Sequence, residues 1–157
     1  MITDNGNEFS SQLPIRGRLL GLDLGTKTIG LALSDSSRQI ATPMQTIRRI
    51  SFRKDVTKLE EILSEHLIAG FVLGLPINMN GTQGPRCQST RDFARNLIIY
   101  LSVPILLWDE RLSTSAADHV LLAADMSRQK RAAVVDKIAA ALILQAALDA
   151  LEHIHSP

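Results

Sequence analysis

Leu19-Leu-Gly-Leu-Asp23-Leu-Gly-Thr-Lys27-Thr-Ile-Gly-Leu-Ala-Leu-Ser-Asp35 reads as two apolar strands joined by a tight, glycine-marked turn. A single carboxylate, Asp23, interrupts the first apolar run. Burying an unpaired carboxylate costs several kcal/mol. A cation is the commonest remedy, so the other chemistry-bearing residues are sought as partners of this Asp.

Working outward, residues 18–23 and 29–34 are the two strands, and Asp35 to Arg38 makes a second polar turn. Residues 39–47 form a third strand, in which Pro43 signals an edge or a bulge. Ser51 opens a helix whose Phe52, Val56, Leu59, Ile62 and Leu63 recur at helical spacing, and Gly70 is its expected stop. Residues 71–75 are a continuous apolar run, as in a strand covered on both faces. A loop of Pro, Asn and Gly follows over 76–84. Pro85 suits the first turn of a helix reaching about residue 101. Residues 104–108 form another buried strand. Ser113 or Thr114 caps a helix to about residue 124, residues 126–131 form a basic connector, and 134–151 are a final Ala- and Leu-rich helix opened by Asp136. The order predicts an α/β domain. Its mixed five-stranded sheet joins an antiparallel three-stranded meander to two parallel strands, with helices on both sides. Residues 1–17 lack periodicity and read as a flexible leader, and 18–157 as one domain.

The 157 residues suffice for a core without staples, and that core must be aliphatic because aromatics are only 4 %. So few aromatics also argue against recognition by base stacking. Seventeen basic and sixteen acidic side chains leave a net charge of +1, so only local clustering can indicate a nucleic-acid partner. The single cysteine, Cys87, excludes an intramolecular disulfide and a multi-cysteine zinc site and suits a reducing cytoplasm. It reads as a structural thiol. No apolar run approaches the roughly 20 residues of a membrane span. The polar start does not read as a secretory signal. The histidines His66, His119, His153 and His155 are too scattered for a zinc site.

Three acids stand at element ends: Asp23, Glu110 after the run Ile105 to Trp108, and Asp136. Strands carrying the first two can end side by side, and a helix across that end can add the third. Three converging carboxylates repel one another unless a hard divalent cation, Mg2+ or Mn2+, relieves them. Two such ions are a standard means of hydrolysing a phosphodiester. Each acid also has a plainer reading: Asp136 as a cap, Glu110 as the ion-pair partner of Arg111, Asp35 as a turn residue. Asp109 alternates away from Glu110 and is the weaker candidate.

The segments Gly-Leu-Asp23-Leu-Gly-Thr-Lys27-Thr-Ile-Gly, Val-Leu-Gly74-Leu-Pro-Ile-Asn78-Met-Asn-Gly81-Thr, Trp-Asp-Glu110-Arg-Leu-Ser-Thr114 and Val-Asp136-Lys-Ile-Ala-Ala-Ala-Leu-Ile-Leu-Gln145 resemble the YqgF family, also called RuvX. The resemblance runs from about residue 18 to 151. It implies a ribonuclease H-like fold, with Asp23, Glu110 and Asp136 as metal-binding catalytic acids. It also implies a cytoplasmic nuclease that matures the 5′ end of 16S rRNA, with Holliday junction cleavage as the alternative. Related RuvC resolvases carry a further Asp one turn after the helix Asp. Here that position is Ala139, which weakens the resolvase reading more than the nuclease reading.

A nucleic-acid substrate needs cations near the acids. Lys27 follows Asp23 in the turn, Arg86 stands at a helix start, Arg111 adjoins Glu110, and Arg128, Lys130 and Arg131 precede Asp136. Asn78 can meet a phosphate or serve its own turn. Arg48, Arg49, Arg53 and Lys54 form a further basic cluster. The expected partner is structured precursor rRNA, or branched DNA, for a monomer or homodimer. Two readings from other classes compete. Asp-x-Gly-Thr is also the phosphate turn of two-domain nucleotide-binding proteins, but 157 residues supply only one such domain. A catalytically silent RNA-binding protein would not need all three acids.

Overall fold

The structure, a computed structural model, describes the backbone of residues 1–113 and 128–155, and the side chains of these except 128–133 and 155. In chain order the elements are β1 (Ile2–Thr3), α1 (Gly6–Gln12), β2 (Arg18–Leu24), β3 (Thr28–Ser34), β4 (Ala41–Arg48), α2 (Phe52–His66), β5 (Ile68–Leu75), α3 (Pro85–Tyr100), β6 (Ile105–Asp109), a 3₁₀ turn (Glu110–Leu112) and α4 (Arg128–His155). The described strands form one sheet in the order β1-β6-β5-β2-β3-β4.

The hairpin at Asp23 is the sheet's centre. β2 pairs antiparallel with β3 and parallel with β5. The expected meander is present, and β4 is the edge strand on its side. Opposite Pro43 the β3–β4 register shifts between Leu31 and Ala32, because proline cannot donate to the ladder. Ser51 caps α2 by accepting Lys54 N, and Pro85 occupies the first turn of α3, where no amide partner is needed.

Alternation along β2 sorts the core. Leu20, Leu22 and Leu24 face a cluster made with Val56, Leu59 and Ile62 of α2 and Phe93 and Leu97 of α3. Leu19 faces the opposite cluster, built with Phe9 of α1 and Ala140, Leu144 and Leu148 of α4. Asp23 shares Leu19's parity, so it points to the α4 side.

Several expectations are corrected. Residues 1–17 are not a bare leader. β1 pairs with β6 (Ile2 opposite Ile105), making a sixth strand, and fully buried Phe9 anchors α1, whose cap Asn5 accepts from Asn7 N and Glu8 N. Gly70 does not stop α2. The helix ends at Leu67 in a left-handed conformation (φ 49°), and Gly70 lies inside β5 against the Phe9 ring. Arg128 to Arg131 belong to α4 rather than to a connector, so Asp136 sits more than two turns into the helix and not at its start. The helix expected from Ser113 to residue 124 lies, from residue 114 on, outside the described residues. No helix among the described residues is long and apolar enough to cross a membrane.

Candidate active site

Two glycines admit the three acids to one end of the sheet. Asp23 on β2 pairs with Gly30 on β3. A Cβ on Gly30 would lie 2.0 Å from the Asp136 carbonyl oxygen, so the α4 backbone rests directly on the strand beside Asp23. No other residue fits there. Glu110 comes from further off than a side-by-side arrangement would allow, because β5 lies between β2 and β6. It reaches across β5 above Gly74, where a Cβ would meet Glu110 Oε1 at 2.7 Å. Gly74 pairs with Trp108 at the end of β6, and the chain then turns through Glu110.

The result is direct contact between two acids and proximity of the third. Asp23 and Glu110 share a side-chain hydrogen bond. Burial, then the charges of Glu110 and Asp136, push the Asp23 carboxyl up to about 7. Burial also raises Glu110, against the lowering charge of Arg86. Asp136 Oδ2 accepts a short hydrogen bond of 2.5 Å from Thr28 Oγ1 at the start of β3. No three His, Cys, Asp or Glu side chains among the described residues stand together as a ready ion cage. The donor chemistry still suits a hard divalent cation. The acids are oxygen donors, partly buried, and among the described residues no Lys or Arg is ion-paired to them.

The expected phosphate contacts fall in different places. Arg86, exposed on the first turn of α3, acts electrostatically on both Asp23 and Glu110. Lys27 is exposed in the β2–β3 turn. Arg111 pairs with Asp109 (2.7 Å), not with Glu110, and its hydrogen bonds hold the Asp109 carboxyl below its ordinary range. Asp109 also accepts Arg111 N, capping the 3₁₀ turn. Asn78 serves its own turn: its N–H donates to Thr82 O, its side chain to Thr82 Oγ1, and its carbonyl accepts Gly81 N. Sequence reasoning missed Thr28 as the partner of Asp136. It also missed Gly30 and Gly74, whose only signal was glycine inside apolar strand runs.

A mixed sheet that carries acids at the end of its central hairpin, facing one long helix, is the ribonuclease H-like nuclease architecture. The chain aligns over 85 % of its length with 94 % of Thermus thermophilus RuvC, solved in complex with a Holliday junction substrate, at a TM-score of 0.53 and 12 % identity, which establishes the fold. Residues 17–150 match the RuvX family model, described as Holliday junction resolvase, and the chain belongs to that family. Among its relatives is a Rhodobacter capsulatus protein named "Putative pre-16S rRNA nuclease", 56 % identical over 98 % of this chain and 97 % of that one. Proteins of the same name from Ruegeria pomeroyi (54 % identical, 98 % and 100 % covered) and a Bradyrhizobium species (57 %, 92 % and 89 %) are similar.

Proposed function

We propose that the protein is a divalent-metal-dependent endonuclease of the cytoplasm that hydrolyses phosphodiester bonds in precursor 16S rRNA, at the 5′-end maturation step. The observation that carries this is the Asp23–Glu110 carboxyl pair, half-buried at the sheet end with the Asp136 charge acting on the same Asp23. A stable fold gains nothing from such repulsion. A site that takes up cations does.

Asp23, Glu110 and Asp136 are the residues that would hold Mg2+ or Mn2+, and the ions would supply an activated water and stabilise the departing oxygen. The chain's own groups do the rest. Thr28 orients the Asp136 carboxylate. Arg86 brings a positive charge to the acids, where a phosphodiester must be drawn toward a cluster of like charge. Lys27 in the adjoining turn is exposed and has no ion-pair partner among the described residues, so it can meet the backbone of the strand, whereas Arg111 is shared with Asp109 and Asn78 with Thr82.

Branched DNA is the second reading, favoured by the family's description. Against it stands Ala139, the position where the related resolvases carry a further Asp. The test is incubation of the purified chain with precursor 16S rRNA and with a four-way DNA junction, each with Mg2+ and with Mn2+. Site-specific cuts in the RNA are expected. Symmetric cuts in the junction alone, by a dimeric protein in sedimentation, would establish the resolvase instead.

A further inference from the structure

The basic cluster at residues 48–54 is divided by the fold, and one member, Arg49, turns toward the acids' end of the sheet. It lines an open cleft of ≈ 440 Å³ together with Gly25 and Thr26 of the β2–β3 turn, Ser51 at the cap of α2, and Arg86 and Ser89 of α3. That volume falls in the range of small-molecule sites, about 300–1,000 Å³. The cleft lies on the α2–α3 side, to which Leu24 turns, at the same end of the sheet as the acids, and Arg86, whose charge acts on Asp23 and Glu110, connects the two.

Arg49 is held as a fixed fork. Its Nη1 donates to Gly25 O (2.5 Å), its guanidinium carbon lies 5.6 Å above the Phe93 ring centroid, and its backbone N donates to Lys27 O. Among the described residues no carboxylate pairs with it or with Arg86. A guanidinium has five N–H donors, so after the Gly25 bond most of Arg49's remain for a ligand. A planar, anchored fork of this kind matches the paired oxygens of a phosphate. Asp55, the acid on the cleft wall, is buried and accepts Ile50 N.

We infer that this cleft is a second phosphate subsite, in which Arg49 and Arg86 hold a non-scissile backbone phosphate of the substrate strand next to the one cut at the acids. This rests on the nuclease reading above. Arg86 stands between the two positions, its charge felt by Asp23 and Glu110 while its side chain lines the cleft. The ligand class is a nucleic-acid phosphodiester, since the two guanidinium groups that line the cleft, Arg49 and Arg86, have no carboxylate partner among the described residues. A phosphate contact does not distinguish RNA from DNA, so both strands are expected to be held alike here.

The test is fluorescence anisotropy of a labelled single-stranded oligonucleotide, as RNA and as DNA, with the full chain in EDTA over a range of salt. Arg49→Gln should weaken binding roughly tenfold at low salt and flatten the slope of log K against log salt by about one. Ser89→Glu sets a negative charge on the cleft wall at an exposed helix position whose hydroxyl donates to Pro85 O of its own helix. It should weaken both oligonucleotides by at least as much with no change in melting temperature. Wild-type affinity and slope in Ser89→Glu and Arg49→Gln would overturn the subsite and leave the nuclease reading standing. A wild-type chain that binds neither oligonucleotide would overturn both. Tight binding of a mononucleotide, lost in the same variants, would replace the strand subsite with a nucleotide site.

Discussion

The two faces of the sheet are packed on different terms. On one, α2 and α3 stand off the strands on large side chains: Leu20, Leu22, Phe71 and Leu73 meet Leu59, Phe93 and Leu97. On the other, α4 interleaves Ala140, Ala141 and Ala147 with Ile143, Leu144 and Leu148, and at Gly30 it meets the strand through its own backbone. Ordinary burial, at roughly 25 cal/mol per Å² of apolar surface, would favour the first arrangement on both faces. The second brings the helix close enough for Asp136 to act on Asp23. The face on which helix backbone touches strand is the face that carries Asp23 and Asp136. Close approach at Gly30 is what the proposed site requires, whereas the opposite face needs only to bury apolar surface.

The contrast can be broken most severely at Gly30. Gly30→Ala forces a methyl group into the Asp136 carbonyl, and neither a strand interior nor a helix backbone yields easily. A loss above about 4 kcal/mol is expected in urea denaturation, with nuclease activity lost along with it. Leu59→Ala on the other face should cost about 3 kcal/mol, and the fraction that remains folded should keep its activity. If Gly30→Ala were milder than Leu59→Ala, the close approach would not be a requirement.

The acids' own cost gives a second comparison, of similar size and opposite sign. Asp23 titrates from 3.8 unfolded to about 7 folded, so the folded state holds the proton more tightly. Its charging therefore costs stability as pH rises from about 4 to 7, and the full cost is present above about 7. A shift of that size corresponds to on the order of 4 kcal/mol. In EDTA, wild type should lose stability across that window. Asp23→Asn, which still offers Glu110 a donor, should show a flatter profile and a higher melting temperature at pH 8. A variant less stable than wild type at pH 8 would show that Asp23 is a structural acid.

The smallest effect belongs to Thr28. Thr28→Val removes the hydroxyl that Asp136 accepts and should cost about 1 kcal/mol or less in stability. It should also change Mn2+ affinity measured by calorimetry, whereas Thr28→Ser should restore the wild-type value. Equal affinity in both variants would reduce Thr28 to an ordinary strand residue.

The central hairpin was legible in sequence because alternation and an interrupted apolar run are local signals. Pro43 and Pro85 were legible because a missing N–H has the same consequence in any context. What escaped depends on distant partners. β1 is two residues long and exists through β6, and α1 is seven residues hung on Phe9, too short for periodicity to reveal. The start of α4 was hidden because Arg128 to Arg131 read as solvated charge rather than helix, which displaced Asp136 to a cap. The reach of Glu110 over β5 was hidden because Gly74 has no side chain to announce it.

Phosphodiester hydrolysis is the role proposed for Asp23, half-buried beside two other acids. It is tested most directly by single-turnover cleavage of precursor 16S rRNA by wild type and by Asp23→Asn, with Mn2+ or Mg2+ and with EDTA. The expected result is cleavage by wild type with metal only, and a loss of at least about a thousandfold in the variant, whose circular dichroism spectrum is unchanged. Cleavage by folded Asp23→Asn at the wild-type rate would contradict the account.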